Sequence, residues 1–597
     1  MRAAWLLPIL FLLPAGCVPA TQPAPVDTVV WSGTIRVRGD VRIPRGQRLV
    51  VEPGTRVVFA FRDDDGDGWG DASVRVEGNL VVRGTASEPV RFTPEDEPVR
   101  PGRWGEIRVD FGTVDVRYAV IEGSTRGLHA HFCRGRVADS VFRWNVDGTR
   151  LGNSALRVER NLFYGHPGKA YNAHRCRNTV QANRFHHNRY GVFLFAADLG
   201  SVFRGNWFRA NRTALRLGDF FAGTVRTSGN DWGGAPPQAP PDNPDAEIRT
   251  EPAAVERAGP RGWPVWAPAW RADLGGFADA PVLCAPEGVY AAAWSGSVER
   301  LDVASGRTLD AARLPDAVDA GVALGPKVLA TQAWDRAVYL LSRPDLEVLG
   351  RFEEEASPAD DHRQSRPVFA GRTLVVGTWA GRVRAFDTSG GALGLLWTLE
   401  AGGPFRAPLT RVPERGILLA PCQDGVLYAL DERTGGVRWV YRGTGPFLSG
   451  AAVFEGTAFV ADRPGRLHAV DLDTGRPRWV RDLGAPVWYA APRVAEGRVF
   501  QGDDRGRLHA LEAETGRTVW ARRLDGGIRA RPGAAPGGLL VVPTLSGRVY
   551  LLDARTGLER DVWEAGEGGQ SDPCSAGRRV VLGTRGVGVT ALDVLVF

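Results

Sequence analysis

The densest chemistry in this chain is a run of acids, Asp63-Asp64-Asp65-Gly66-Asp67-Gly68-Trp69-Gly70-Asp71. Five carboxylates within nine residues repel one another unless water or a cation lies among them. Asp63, Asp65, Asp67 and Asp71 fall at positions 1, 3, 5 and 9 of a calcium-binding loop. Gly68 takes position 6, where the chain must turn sharply, and Trp69 takes position 7, where the ligand is a backbone carbonyl. Position 12 is Val74 rather than a bidentate Glu, so the expected affinity for calcium is modest and the ion's role structural. A solvated acidic turn fits the same residues.

Softer ligands recur further on. His131 and Cys133 return as His174 and Cys176, 43 residues later. Imidazole and thiolate both bind zinc. Gly152 and Ser154 occupy the equivalent positions between the two pairs, so the ligands would have to meet across a gap. A ladder of side chains is the expected arrangement. His186-His187 reads as polar turn surface. Asp139, Arg143, Asp147 and His166 are the acids and bases of this half of the chain, and their spacing singles out no catalytic set. No catalytic residue is assigned. The glycines mark turns, and no nucleophile triad, phosphate loop or dinucleotide fingerprint stands in the right context.

The N-terminus carries an address. Arg2 precedes an apolar run from Ala3 to Leu13, too short to span a bilayer comfortably, followed by Pro14-Ala15-Gly16-Cys17. Small residues before a Cys resemble the lipobox of bacterial lipoproteins, which would leave Cys17 as a lipidated N-terminus. Val18-Pro19-Ala20 also fits ordinary signal cleavage after Ala20. Val18, following Cys17, lacks the Asp of an inner-membrane retention signal, which points to an outer-membrane anchor on the periplasmic or cell-surface side. Contact with the membrane is then through the lipid only.

Of the 74 basic residues, only Lys169 and Lys327 are lysines, and the net charge is +6 over 597 residues. Arginines and acids are interspersed, so no nucleic-acid footprint exists. Apart from Cys17 there are five cysteines, an odd number that leaves at least one unpaired in an exported chain. Cys133 and Cys176 should be too far apart to bond. A bond between Cys284 and Cys574 is possible but not the favoured expectation.

Two repeats must position these residues. In the front half Asn161-Leu162-Phe163, Asn183-Arg184-Phe185, Asn206-Trp207-Phe208 and Asn230-Asp231-Trp232 are 22, 23 and 24 residues apart. One coil per 22 or so residues, with small or polar bends and short apolar strands, predicts a right-handed parallel β-helix with aromatics stacked inside. The wording is similar to the pectate-lyase-like β-helix class and covers residues 28–235. That superfold hosts lyases, hydrolases, adhesins and stalks.

In the back half a phrase returns about every 41 residues. It reads Gly425-Val426-Leu427-Tyr428-Ala429-Leu430-Asp431, then Thr434-Gly435 and Trp439. It recurs from Gly465 to Trp479, Gly506 to Trp520 and Gly547 to Trp563, with weaker copies at Gly381, Asp335 and Gly296 and a truncated one at Gly588. Eight such units predict an eight-bladed β-propeller. The last unit lacks its Trp strand and a spare one stands at Trp270, so that strand should close the ring. The acid and Gly shape the turn, and Trp fills the space between blades.

This phrase resembles the pyrroloquinoline-quinone-type propeller repeat, above all that of the propeller lipoproteins of the bacterial outer-membrane barrel-assembly machinery. The quinone enzymes carry adjacent cysteines over the cofactor, and this chain has no Cys-Cys pair. No pyrroloquinoline quinone is expected. The all-β organisation is then a signal segment (1–17), a tether (18–27), the β-helix (28–235), a Pro-rich linker (236–263) and the propeller (264–597). The resemblance implies a non-enzymatic envelope scaffold that binds an envelope protein or extended peptide. The β-helix would serve as spacer or polysaccharide-binding stalk. The alternatives are a polysaccharide lyase or hydrolase with its active site on the β-helix and, less favoured, a quinoprotein oxidoreductase.

Overall fold

The computed structural model describes residues 27–596, apart from 97–98, 235, 241–242, 252–257, 357–363 and 587. Cys17, the signal segment and most of the tether lie outside these residues. The described residues form strands and turns with a single 3-10 turn at Pro413–Arg415. No described helix is long and apolar enough to cross a membrane. The chain divides into two compact units at Pro260 and Arg261.

The first unit is a parallel β-solenoid of three sheets. One sheet has ten strands, from Asp27–Trp31 to Ala246–Glu251. The second has eight, from Thr34–Val37 to Trp207–Arg209, and the third eight, from Val41–Ile43 to Thr213–Leu217. The recurring aromatics fall in register, Phe142 on Phe163, Phe185 and then Phe208. Their rings stack inside at 4.9, 4.8 and 4.8 Å, and Trp232 caps Phe208 at 4.8 Å.

The recurring Asn residues solve a backbone problem. Each coil bends at a residue with positive φ, among them Asp139, Arg160 and Ala182, and leaves an N–H without a strand partner. The Oδ1 atoms of Asn161, Asn183, Asn206 and Asn230 accept the N–H of Ser140, Asn161, Asn183 and Asn206, one coil back. A second file does the same with Asn145, Asn188 and Asn211, and His166 stands in it where the other coils have Asn.

One segment departs from the sequence reading. Ala246–Glu251, expected within the Pro-rich linker, pairs residue for residue with Gly223–Ser228 and ends the ten-stranded sheet. The prolines flank this strand without interrupting it, so the backbone donors of its ladder are intact. The solenoid therefore continues past residue 235.

The second unit is an eight-bladed propeller of four-stranded antiparallel sheets. Blade 1 runs from Leu283 to Arg313, blade 2 from Ala323 to Glu353, blade 3 from Val368 to Glu400 and blade 4 from Thr410 to Arg442. Blades 5, 6 and 7 are Ala452–Asp482, Arg493–Arg523 and Gly533–Glu564. Blade 8 takes Cys574–Ala576, Arg579–Thr584 and Gly588–Val596 from the end of the chain and Pro264–Ala272 from the start of the unit. The closure expected at Trp270 is thus present. It makes blade 8 a four-stranded sheet like the others, with Pro264–Ala272 as its outermost strand.

The cysteines correct one expectation. Cys284 and Cys574 are joined, with Cα atoms 5.7 Å apart, because the innermost strands of blades 1 and 8 converge where the ring closes. Cys133, Cys176 and Cys422 are free and buried.

Candidate functional site

The acidic run forms an exposed loop between Arg56–Phe59 of the second sheet and Val74–Val76 of the third. Carboxylate oxygens of Asp63, Asp65 and Asp71 lie within 4.8 Å of one another. Asp63 also accepts the N–H groups of Gly66 and Gly68, at 2.7 and 2.9 Å, and Asp71 that of Asp64 at 2.7 Å. Asp67 turns an oxygen to the Trp69 N–H at 2.8 Å. The Trp69 ring lies against Gly102, where an added Cβ would overlap it at 1.9 Å. Of the five residues in the proposed ligand set, the structure gathers three carboxylates.

The third sheet carries a second constellation on its outward face. Register aligns Asp110, His131, Gly152 and His174 in one file, and Arg108, His129, Arg150 and Asn172 in the neighbouring one. Leu128 and Ala130 point into the core, so His129 and His131 point out. His129 Nδ1 is 2.8 Å from Glu106 Oε2, and its Nε2 is 3.2 Å from His131 Nε2. Burial alone would raise the Glu106 carboxyl, but the His129 hydrogen bond and the charges of His129 and Arg126 hold it down at about 2. Burial pushes His131 down to about 4, helped by His129, His174 and Arg108. Burial also lowers His174, with Arg150 and Arg175 adding to it. The His131 and His174 rings approach to 5.6 Å across Gly152. The gap that seemed to separate them is what lets them meet. Cys133 and Cys176 point into the core instead, and burial raises both thiols.

Beside His174 this face sinks into a depression of about 500 Å³, lined by Asp147, Arg150, Lys169, Arg175, Phe193 and Phe195 among others. Three fixed cations face one carboxylate there. The Lys169 ammonium sits 5.0 Å from the Phe193 ring centre. Exposed rings flank it: Phe195 stands 6.4 Å from Phe220, and Phe111 stacks on Phe132 at 4.9 Å. The sequence marked only His131, His174 and Asp147 of this surface. His129, Arg150 and Arg175 were legible only by laying the 22-residue coils in register.

The remaining candidates do not gather with it. Asp139 pairs with Arg160 through two 2.9 Å contacts. Arg143 holds Glu122 at 2.8 Å. His166 is fully buried in the second Asn file. His186, expected on a polar turn, is buried on a strand, and burial holds its pKa far below the ordinary value.

On the propeller, the outermost strands of five successive blades expose aliphatic side chains. They are Val348 and Leu349 (blade 2), Leu395 and Leu396 (blade 3), Val437 and Val440 (blade 4), Val480 (blade 5) and Val519 (blade 6), each at least 40% exposed. The corresponding strand of blade 7, Glu559–Glu564, is buried except at its end. Between blades 1 and 8 lies a polar depression of about 370 Å³, where Arg579 bridges Asp593 and the carbonyl of Ala304.

These features define an eight-bladed β-propeller that follows a parallel β-solenoid in the chain. The family model described as "Outer membrane protein assembly factor BamB" matches residues 295–449, 423–526 and 504–595, together just over half of the chain. The chain belongs to that family. A relative of that description from Bordetella pertussis is 27% identical over 242 residues, covering 36% of this chain and 58% of its own length. Another from Nitrosomonas eutropha is 30% identical over 121 residues, covering 19% of this chain and 28% of its own. The chain therefore spans little more than half the length of the first relative and about a quarter of the second. The crystal structure of BamB from Moraxella catarrhalis superposes with a TM-score of 0.48 at 18% identity, covering 55% of this chain and 97% of that one. The computationally designed Ika8 protein gives a TM-score of 0.48 at 16% identity, covering 55% and 99%. The relatives' description, an assembly factor, agrees with the expectation of a chain that is not an enzyme.

Proposed function

We propose that this chain is a non-enzymatic scaffold of the outer-membrane envelope, anchored through a lipid on Cys17, whose propeller docks an envelope protein. The observation that carries this reading is the exposed aliphatic rim of blades 2–6. Each of those outer strands ends its sheet, so it offers both apolar side chains and an unpaired backbone edge. An extended segment of a partner would add a strand there and bury the aliphatic groups. The assembly-factor description of the relatives supports a partner that is itself an envelope protein.

The solenoid acts as a spacer. Some ten coils at about 4.8 Å each make it about 45 Å long. Its cationic depression, flanked by exposed phenylalanines, suits an acidic polysaccharide, because guanidinium groups pair with carboxylates and rings stack on sugar faces. The acidic loop takes a calcium ion as a structural brace, with Asp63, Asp65 and Asp71 as its carboxylate ligands.

The test is affinity capture from envelope extracts with the native chain and with Leu395→Asp/Leu396→Asp/Val437→Asp. The native chain should retain one envelope partner that the variant loses, with both melting alike. Equal recovery of that partner by both proteins would remove the rim from the reading.

A further inference from the structure

The outward face of the third sheet holds three imidazoles around a vacancy in the side-chain ladder. We infer that His129, His131 and His174 form a site for one late first-row divalent ion, Zn²⁺ or Cu²⁺, seated over Gly152.

Distance is the first argument. Two nitrogens bound to one tetrahedral ion at about 2.0–2.1 Å stand about 3.3 Å apart. His129 Nε2 and His131 Nε2 are 3.2 Å apart. A metal ion would replace this contact between the two rings.

The second argument is the cradle. A Cβ built on Gly152 would stand 2.7 Å from His131 Nε2 and 2.7 Å from His174 Cε1. The rings of His131 and His174 close over the glycine, and the backbone of Gly152 is not in the left-handed region. His174 contributes the third imidazole, and its ring must swing toward the His129–His131 pair to bring a nitrogen within ligand distance. Strand spacing alone would keep residues two coils apart at about 9–10 Å. The two side chains instead lean toward each other over the glycine.

The third argument is the outer shell. Histidine ligands ordinarily give their second ring nitrogen to a carboxylate, which fixes ring orientation and tautomer. His129 does this with Glu106, whose carboxylate is itself held by Arg126 at 3.2 Å. Asp110 flanks His131 in the same file and is held by Arg108 at 2.7 Å. The guanidinium groups of Arg108, Arg126, Arg150 and Arg175 face the same region and oppose a doubly charged ion. The affinity is therefore expected to be micromolar, and imidazole ligands favour copper and zinc over calcium, magnesium or manganese.

Untagged chain is titrated with Cu²⁺ and Zn²⁺ by calorimetry, and the Cu²⁺ form is read by electron paramagnetic resonance. The acidic-loop variant Asp63→Asn/Asp71→Asn serves as background, so that carboxylate binding is not counted. The expected result is one ion per chain with nitrogen hyperfine splitting, retained in the loop variant. Binding should vanish in His129→Ala/His131→Ala. It should also be lost in Gly152→Ala, which removes no imidazole but pushes the rings of His131 and His174 apart. Glu106→Gln should weaken it about 10–100-fold. Thermal melts of the ion-free proteins separate lost binding from lost fold. Oxygen-only ligation, or unchanged affinity in folded Gly152→Ala, would overturn the site.

Discussion

The indole of Trp439 in blade 4 covers Gly475 in the turn of blade 5, where an added Cβ would stand 2.8 Å from the ring. Its Nε1 donates to the Leu472 carbonyl at 2.8 Å. The same lock joins Trp479 to Gly516 and Trp520 to Gly557, while Trp397 covers Gly435 with its ring alone. Trp270 makes it to Gly306, with Nε1 2.9 Å from the Val303 carbonyl. The strand borrowed from the start of the unit thus supplies both the missing edge and the missing indole.

Gly475→Ala tests this lock directly. Gly475 has φ +70°, which costs an L residue about 1–2 kcal/mol, and the new methyl must also displace the indole. The expected loss is about 2–3 kcal/mol in denaturant unfolding of the propeller. Gly484→Ala is the control: its φ of +78° carries similar strain, but nothing lies within 4 Å of its Cβ position. It should cost only the backbone share. Equal losses at both positions would show that the indole contributes nothing.

The disulfide between Cys284 and Cys574 spans 290 residues of sequence. Closing so long a loop restricts the unfolded chain strongly, and removing such a bond typically costs about 2–5 kcal/mol. Cys284→Ser/Cys574→Ser should unfold at lower denaturant than the native chain, and reductant should shift the native protein but not the variant. Identical midpoints for native and variant proteins would contradict the stabilising role.

Much of this was legible because period carries fold. The phrase ending at Trp439 repeats at a blade's length, and the Asn-x-Phe phrase repeats at a coil's length, so strand order and interior ladder follow from spacing. The Cys284–Cys574 bond was not legible in that way, since it depends on a 5.7 Å approach across a closed ring. The strand at Ala246–Glu251 was masked by its prolines, which lie outside the paired residues. Glu106 was missed because the ladder shifts register between Arg126 and Leu128, which moves it out of the coil alignment that marks His131 and His174.

His166 supplies a pH prediction. It is fully buried in a file otherwise built of Asn, and burial pushes its pKa down to about 4, against the raising pull of the Asn145 and Phe142 carbonyls. The unfolded value is about 6.5, so the unfolded chain binds the extra proton between the two. The contribution is fully present above about pH 6.5 and is lost as pH falls toward 4, by about 3 kcal/mol in all. His166→Asn gives this coil the residue its neighbours carry. The native-minus-variant stability should fall with acid over that window. A flat difference would mean that the buried imidazole accepts its proton without cost.

The acidic loop yields a prediction of opposite character, because its converging carboxylates repel one another and a cation among them relieves that repulsion. Modest calcium loops of extracellular modules bind at about 10⁻⁴–10⁻³ M. A tenfold excess over such a Kd stabilises the bound state by about 1.4 kcal/mol. Calcium should therefore raise the unfolding midpoint of the solenoid, and magnesium, which demands tighter octahedral geometry, should do so less. Asp63→Asn/Asp71→Asn removes two of the three converging carboxylates and relieves their repulsion. That variant should be at least as stable as the native chain without calcium and should gain nothing when calcium is added. A calcium response that survives both substitutions would place the ion elsewhere in the chain.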